Sequence, residues 1–149
     1  MDEKVEAILG KYGRNKRFLV SVLQDIQREY YYLPKEILVD VSQALNLPLS
    51  QIFSVATFFK AFSLEPRGRH LVNVCVGTAC HVRGATRVLE SIERETGIKS
   101  GETDADLKFS LEAVNCLGCC ALGPVMVVDG EYHGKLSTAK VAEILKGCE

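Results

Sequence analysis

The sequence predicts an α+β protein in which a four-helix bundle precedes a smaller domain with the element order β-α-β-β-β-α. Two observations predict this class. Apolar residues recur with helical spacing through the first part of the chain, whereas strand-like runs alternate with helical patterns in the second part. Between the two parts, Pro66 and Gly68 interrupt regular structure. We therefore expect two domains, residues 1–66 and residues 67–149.

The first domain is predicted to contain four short amphipathic helices. A helix over Glu3–Lys11 should end near Gly13. Three further apolar stripes follow it: Phe18, Leu19, Val22 and Ile26; then Ile37, Leu38, Val41 and Leu45; then Ile52, Val55, Ala56 and Phe59. Pro34 and Pro48 stand where the third and fourth helices should begin. Four short helices with brief links are typical of a small bundle.

The second domain is predicted to open with a strand at residues 70–76, which is rich in β-branched side chains. Cys80 should lie at the start of the helix that follows, and Gly97 is a suitable stop for that helix. The apolar stripe of the helix consists of Ala85, Val88, Leu89 and Ile92. The polar residues 99–106 are expected to form a loop.

Three more strands and a last helix complete the second domain. Alternation predicts a half-buried strand whose apolar positions are Phe109, Leu111 and Ala113. Residues 125–128 and 131–136 should pair as a hairpin, because Asp129-Gly130 between them is a strong turn signal. Ser137 can cap the last helix. The apolar face of that helix is Val141, Ile144 and Leu145.

Composition excludes several classes of function. The 149 residues carry a formal net charge of −1, which gives no reason to expect nucleic acid as a partner. No apolar run approaches the roughly 18 residues of a membrane-spanning helix. The charged N-terminal residues lack the apolar stretch of a secretory signal. We therefore expect a cytoplasmic protein that does not insert into a membrane.

Four of the six cysteines have a regular arrangement. Cys75 and Cys80 form a C-x4-C pair, and Cys116 and Cys120 form a C-x3-C pair 35 residues further on. In a reducing cytosol, clustered cysteines are more often metal ligands or redox groups than structural disulfides. Two close pairs separated by a folded insert can place four thiolates around one metal centre.

Four thiolates suit either zinc or an iron–sulfur cluster. Structural zinc sites usually use C-x2-C pairs, whereas a two-iron cluster is larger and tolerates wider ligand loops. The x4 and x3 spacings therefore favour a [2Fe–2S] cluster, and a zinc-binding docking module stays as an alternative. A chain that bears such a cluster and shows no other catalytic group is most simply interpreted as an electron carrier.

The residues around these cysteines fit a redox role. Gly77 and Gly118 would let backbone N–H groups approach sulfur, and N–H···S contacts tune reduction potential. A [2Fe–2S] cluster with four thiolates carries a formal charge of about −2 when oxidised and about −3 when reduced. Arg83 and Arg87, expected on the first turns of the helix after Cys80, would therefore favour the reduced form.

At these cysteines the chain resembles the thioredoxin-like [2Fe–2S] ferredoxin family. This family supplies the small, E-type subunit of NADH:quinone oxidoreductase and the matching subunits of NAD(P)-linked hydrogenases and formate dehydrogenases. The resemblance rests mainly on the cysteine spacing. It extends to three further segments: Val55-Ala56-Thr57-Phe58-Phe59, Gly101-Glu102-Thr103 and Tyr132-x-Gly134-Lys135-Leu136-Ser137.

The resemblance implies a thioredoxin-like domain after the helical bundle, with Cys75, Cys80, Cys116 and Cys120 as the cluster ligands. It implies a partner subunit that contains flavin and iron–sulfur clusters and oxidises NAD(P)H, so that FMN and NAD(P)H belong to the partner. The short chain and the vicinal cysteine pair resemble the hydrogenase-linked or formate dehydrogenase-linked branch. Respiratory NADH:quinone oxidoreductase is the alternative. We expect the helical domain to dock the partner.

Other interpretations compete at individual residues. Cys119 could replace Cys120 as a ligand, and Cys116-x2-Cys119 also has the pattern of a thiol–disulfide enzyme. That enzyme would leave Cys75 and Cys80 without a purpose. A Rieske centre using His81 is disfavoured because four cysteines are already available. The chain shows no phosphate-binding or dinucleotide-binding motif, so we expect no nucleotide site and no catalysis by this chain alone.

Overall fold

A computed structural model describes residues 1–148 of the chain. The chain divides into two compact units, one covering Met1–Arg67 and the other starting at Gly68. Each unit has its own hydrophobic core. The α+β class is confirmed, with four α-helices in the first unit and a four-stranded sheet with helices in the second.

The first unit contains the four helices that the apolar stripes predict. They are α1 (Glu3–Lys11), α2 (Leu19–Tyr30), α3 (Lys35–Leu45) and α4 (Leu49–Phe58). The side chain of Asp2 caps α1 by accepting a hydrogen bond of 3.1 Å from the backbone N–H of Lys4. Pro34 and Pro48 directly precede α3 and α4, as predicted.

The core of the first unit confirms most of the predicted apolar positions. The predicted positions that are buried are Leu19, Val22, Ile26, Ile37, Leu38, Val41, Leu45, Ile52 and Ala56. Two aromatic residues were assigned to the apolar faces wrongly. Phe18 lies in a short 3-10 turn before α2 and is 46 % exposed. Phe59 is 40 % exposed because the backbone is extended there, so the helical period no longer sets its direction.

The second unit is built on a mixed sheet. Its strands are β1 (His70–Cys75), β2 (Phe109–Val114), β3 (Met126–Val128) and β4 (Glu131–His133), in the spatial order β2-β1-β3-β4. β1 runs parallel to β2 and antiparallel to β3. The predicted hairpin joins β3 to β4, and Asp129 and Gly130 both have positive φ, as a tight turn of this kind requires.

The helix predicted to follow from Cys80 is two separate helices. They are α5 (Thr78–Val82) and α6 (Ala85–Thr96). Gly84, whose φ is +99°, interrupts the helical conformation between them. Gly97 ends α6 as predicted. The last helix, α7 (Thr138–Lys146), is capped by Ser137 as predicted. None of the helices in residues 1–148 has the length and apolar character needed to cross a membrane.

The helices α6 and α7 pack their apolar stripes on the sheet. The main core of this unit joins Ile92 of α6 and Val141 of α7 to Val72, Leu111 and Met126 of the sheet. A second, smaller cluster of buried residues consists of Cys75, Cys80, Ala85 and Val125. The smaller cluster thus contains two of the four cysteines that the C-x4-C and C-x3-C spacings single out.

Candidate metal centre

Two cysteine-bearing loops leave the sheet at the same edge. We define the first cysteine loop as residues 75–80, after β1, and the second cysteine loop as residues 115–122, after β2. The two strands are parallel and in register, with Cys75 opposite Val114. Because parallel strands end at the same edge of a sheet, the register brings together cysteines that are distant in the sequence.

The two loops touch at Gly77. A Cβ atom added to Gly77 would lie 2.1 Å from the backbone oxygen of Asn115. No side chain tolerates that separation, so this position requires glycine because of a close backbone approach. The N–H of Gly77 also donates to the sulfur of Cys75, which confirms the predicted N–H···S contact in the first loop.

Cys75 and Cys80 form the buried half of the site. They are 2 % and 1 % exposed and lie within hydrogen-bonding reach of each other. Burial raises the pKa of Cys75, but N–H donors from Gly77 and Leu117 outweigh it, so the pKa of this thiol lies below its ordinary value. Burial and the neighbouring Cys75 raise the pKa of Cys80. The backbone donors therefore favour a thiolate at Cys75, and the thiolate is the form that binds metals.

Cys116 and Cys120 form the exposed half of the site. The sulfur of Cys116 accepts a hydrogen bond of 3.2 Å from the N–H of Gly118, as predicted. Gly118 has φ +74°, a conformation that glycine adopts without strain. Cys120 begins a 3-10 turn, Cys120–Leu122, and its charge adds to the rise in the pKa of Cys80. A Cβ atom at Gly123 would lie 3.1 Å from the Cys80 sulfur and 3.3 Å from the Cys120 carbonyl oxygen, so both cysteines border this glycine.

The side chain of Arg83 hydrogen-bonds to the backbone of the second cysteine loop and not to a cysteine sulfur. Its Nη1 atom donates to the carbonyl oxygens of Cys120 at 2.7 Å and Ala121 at 3.4 Å. Gly123 leaves room for this arrangement, since a Cβ there would lie 3.1 Å from the sulfur of Cys80 and 3.5 Å from the Cδ of Arg83.

The predicted helix-start position of Cys80 is wrong. Cys80 is the third residue of the five-residue helix α5, and Arg83 follows the end of α5. The long helix α6 begins five residues after Cys80. The dipole of a long helix starting at the cysteine therefore cannot supply the predicted stabilisation of negative charge, and the backbone N–H donors named above take that place.

The remaining cysteines and histidines have ordinary surroundings. Cys119 is half-buried against the buried cysteine cluster, and its thiol donates to the oxygen of Leu117 at 3.4 Å. Cys148 lies beside α7, where burial raises its pKa. His81 is exposed, and its Nδ1 atom lies 3.3 Å from the hydroxyl of Thr86. His70 pairs with Asp129 at 2.6 Å.

Three contributions to the site were not found by sequence reasoning. The N–H of Leu117 on the Cys75 sulfur has no signal in the sequence, because any residue carries that donor. The contact of Arg83 with the Cys120 carbonyl depends on how the second loop turns. Gly123 had a signal, since a glycine beside a C-x3-C pair is a candidate for a close approach.

Comparison with known proteins agrees with this geometry. The model of the thioredoxin-like [2Fe–2S] ferredoxin family matches residues 5–149. An E-type subunit of the NADH-quinone oxidoreductase of Rhizobium meliloti (strain 1021) is 34 % identical over 146 residues, which cover 98 % of this chain and 87 % of that protein. The HndA subunit of the NADP-reducing hydrogenase of Solidesulfovibrio fructosivorans is 35 % identical over 141 residues, which cover 95 % of this chain and 80 % of that protein.

The chain therefore belongs to the thioredoxin-like [2Fe–2S] ferredoxin family. A solved structure supports the fold over both units. An NAD⁺-reducing [NiFe]-hydrogenase in the air-oxidised state superimposes with a TM-score of 0.77 over 89 % of this chain at 20 % identity. The match spans 23 % of the hydrogenase chain. Family membership implies a [2Fe–2S] cluster as the cofactor of this chain.

The donor set fits that cofactor. A [2Fe–2S] cluster needs four thiolates, two at each iron, and the two loops provide two pairs at one edge of the sheet. Within residues 1–148, no three Cys, His, Asp or Glu side chains are grouped closely enough to hold a single metal ion. Structural zinc sites usually draw their four ligands from C-x2-C pairs, whereas the pairs here are spaced C-x4-C and C-x3-C.

Proposed function

We propose that this chain is an electron-transfer subunit of an NAD(P)-linked oxidoreductase, with Cys75, Cys80, Cys116 and Cys120 as the ligands of its [2Fe–2S] cluster. The cluster supplies one-electron storage, which lets it exchange single electrons with a flavin-containing partner subunit that oxidises NAD(P)H. The main support for this proposal is the strand register, which brings the two cysteine pairs to one edge of the sheet.

The residues of this chain would hold and tune the cluster without performing bond chemistry. Cys75 and Cys80 exclude water on the buried side, whereas Cys116 and Cys120 lie on the surface where an electron can enter or leave. N–H groups of Gly77, Leu117 and Gly118 donate to the sulfurs of Cys75 and Cys116. Such donors stabilise negative charge on sulfur and so favour the reduced form.

We propose a hydrogenase-type or formate dehydrogenase-type complex as the parent, with respiratory NADH:quinone oxidoreductase as the alternative. The relatives named above are subunits of an NADH-quinone oxidoreductase and of an NADP-reducing hydrogenase, so they support the NAD(P)-linked class as a whole. The test is whether the complex isolated with this chain reduces NAD⁺ or NADP⁺ with hydrogen or with formate. Oxidation of NADH by a quinone without either activity would favour the alternative.

We propose that the helical unit docks the partner subunit through an aromatic patch formed by Phe58 and Phe59. Phe58 is 78 % exposed at the end of α4, and its ring lies edge-on to that of Phe59 with centroids 5.0 Å apart. Exposed aromatic side chains are enriched at protein–protein contacts. Phe58→Ser should abolish co-purification of the flavoprotein, whereas the matched control Phe18→Ser, also at an exposed aromatic residue of this unit, should retain it. Co-purification with Phe58→Ser would contradict the docking proposal.

The cluster itself is tested by EPR spectroscopy of the anaerobically isolated and reduced chain, with iron and acid-labile sulfide counts. We expect about two irons and two sulfides per chain and a spectrum from one unpaired electron. A colourless, zinc-containing sample would support the docking-module alternative. Insulin reduction that survives in the Cys75→Ser, Cys80→Ser double variant would support a thiol–disulfide enzyme instead.

A further inference from the structure

A small cationic pocket lies beside the cysteine loops, between the first residues of α6 and α7. Its volume is about 280 Å³. Arg83, Arg87, Ser137 and Thr138 provide its polar lining, and Val88 and Leu136 provide apolar lining. Helix N-termini carry partial positive charge, so the two helix ends add to the charge of the two guanidinium groups.

The sequence segments around this pocket contain positively charged side chains and no carboxylate. Residues 74–88, 113–128 and 132–142 include no Asp or Glu. They do include four cationic side chains: Arg83, Arg87, Lys135 and Lys140. Glu90, three residues after Arg87, and Glu143 are acidic residues just beyond these segments, and neither forms an ion pair with Arg87. The side chains that line the pocket are thus positively charged, polar or apolar, and none is a carboxylate.

The two arginines of the pocket differ in what they contact. Arg83 is occupied, because its Nη1 atom donates to the carbonyl oxygens of the second cysteine loop. Arg87 is exposed, and its side chain has no hydrogen-bond or ion-pair partner within residues 1–148. The guanidinium of Arg87 thus offers donors that the chain itself does not use.

An exposed apolar surface lies on the same segments as the cysteines. Val82 is 79 % exposed and follows Cys80 by two residues, and Leu122 is 44 % exposed and follows Cys120 by two residues. Apolar side chains at the centre and charged side chains at the rim are the usual composition of a protein–protein contact. A free anion would be held by the arginines alone and would give no role to Val82 and Leu122.

We infer that Arg87 pairs with a carboxylate side chain of the electron-exchange partner, which enters this pocket while Val82 and Leu122 contact apolar residues beside it. The inference rests on the function proposed above and assigns the chemistry of the partner surface. Charge complementarity supports it, since guanidinium groups bind carboxylates through paired hydrogen bonds. Contact at this surface would bring the partner next to the second cysteine loop, which contains the exposed Cys120.

The test uses the full cluster-containing chain and the flavin subunit that co-purifies with it, separated and then mixed. Stopped-flow spectroscopy measures the second-order rate of cluster reduction after NAD(P)H is added, at low and at raised salt. Arg87→Glu should slow reduction about three- to tenfold at low salt, and the difference should shrink as salt screens the charges. The matched control is Arg94→Glu, which reverses an exposed charge on the same helix outside the pocket.

The outcomes separate this inference from the proposed function. A slower reaction in Arg87→Glu that the measured change in midpoint potential does not account for, with the control rate unchanged, supports the pairing. Equal rates in Arg87→Glu and the wild type would overturn it and leave the proposed function intact. A rate loss that the lowered midpoint potential fully explains would mean that Arg87 acts on the cluster potential, and it would also overturn the pairing.

Inorganic phosphate that raises the Tm of the wild type but not of Arg87→Gln would show a small-anion site instead of a contact with a partner carboxylate. A wild-type cluster that NAD(P)H and the flavin subunit cannot reduce would overturn both.

Discussion

The two cysteine loops differ in how the fold supports them. The first loop is part of the core, where Cys75 and Cys80 are almost completely buried with Ala85 and Val125. The second loop lies on the surface. It is attached through the Gly77 contact with Asn115, the hydrogen bonds from Arg83 and the N–H of Leu117 on the Cys75 sulfur. The N–H of Lys135 also donates to the carbonyl oxygen of Leu122 at 2.6 Å. One half of the proposed ligand set is thus fixed by packing and the other half by a few contacts with the loop backbone.

The largest effect is expected at the point where the loops touch. Gly77→Ala should destabilise the chain by about 3 kcal/mol, because the added carbon would overlap the Asn115 backbone oxygen and one loop would have to move. Gly118→Ala should cost about 1–2 kcal/mol, since it meets only open space but must keep a positive φ. Urea unfolding of the metal-free variants measures both values. Equal costs would contradict the close contact between the loops.

The next comparison is between a buried and an exposed cysteine. Cys80→Ser and Cys120→Ser should both lower the cluster content, measured by visible absorption. In the metal-free chain, Cys80→Ser should also reduce the free energy of unfolding by about 1–3 kcal/mol, because a hydroxyl replaces a buried thiol. Cys120→Ser at the surface should change it by less than about 0.5 kcal/mol. The reverse order of stabilities would show that the second loop is the packed one.

Removing the arginine contact should act on the cluster through charge and loop position. Reduction adds a negative charge, so loss of the nearby guanidinium in Arg83→Gln should lower the reduction potential. An exposed charge interaction of about 0.2–1 kcal/mol corresponds to roughly 10–40 mV for one electron. Redox titration followed by EPR measures the shift, and Arg83→Lys, which keeps the charge, should restore most of it. An unchanged or raised potential in Arg83→Gln would reject this role.

The smallest effect is expected at Cys119. Its thiol makes one weak hydrogen bond to the Leu117 oxygen and packs only partly against the buried cysteines. Cys119→Ser should therefore retain the cluster and change the free energy of unfolding by less than about 1 kcal/mol. Iron counting on the purified variant is the measurement. Loss of iron would make Cys119 a ligand in place of Cys120.

The sequence predicted the elements better than it predicted their ends. Apolar spacing located all four helices of the first unit, and Asp129-Gly130 located the hairpin, because local patterns determine these features. The break at Gly84 was missed because a glycine within a helical pattern is often tolerated, and here only its positive φ separates α5 from α6.

The candidate site shows the same division. The cysteine spacing indicated four sulfur donors, whereas the burial of Cys75 and the exposure of Cys116 depend on packing between distant segments. The N–H of Leu117 could not be assigned, since backbone donors carry no sequence signal. Phe58 and Phe59 were recognised as part of a family segment, but their exposure appears only in the folded chain.

The pairing of β1 with β2 has a consequence for how this chain tolerates change. Because Cys75 aligns with Val114 across adjacent strands, the separation of the loops is set by the ladder and is independent of the path between Cys80 and Cys116. Residues 101–104 hydrogen-bond along β2, but Ala105 and Asp106 form an exposed turn beyond them. Lengthening this turn between Ala105 and Asp106 should thus be tolerated, as loop closure entropy grows slowly with length. Deleting a single residue inside β2 would turn its side chains to the opposite face and misplace Cys116.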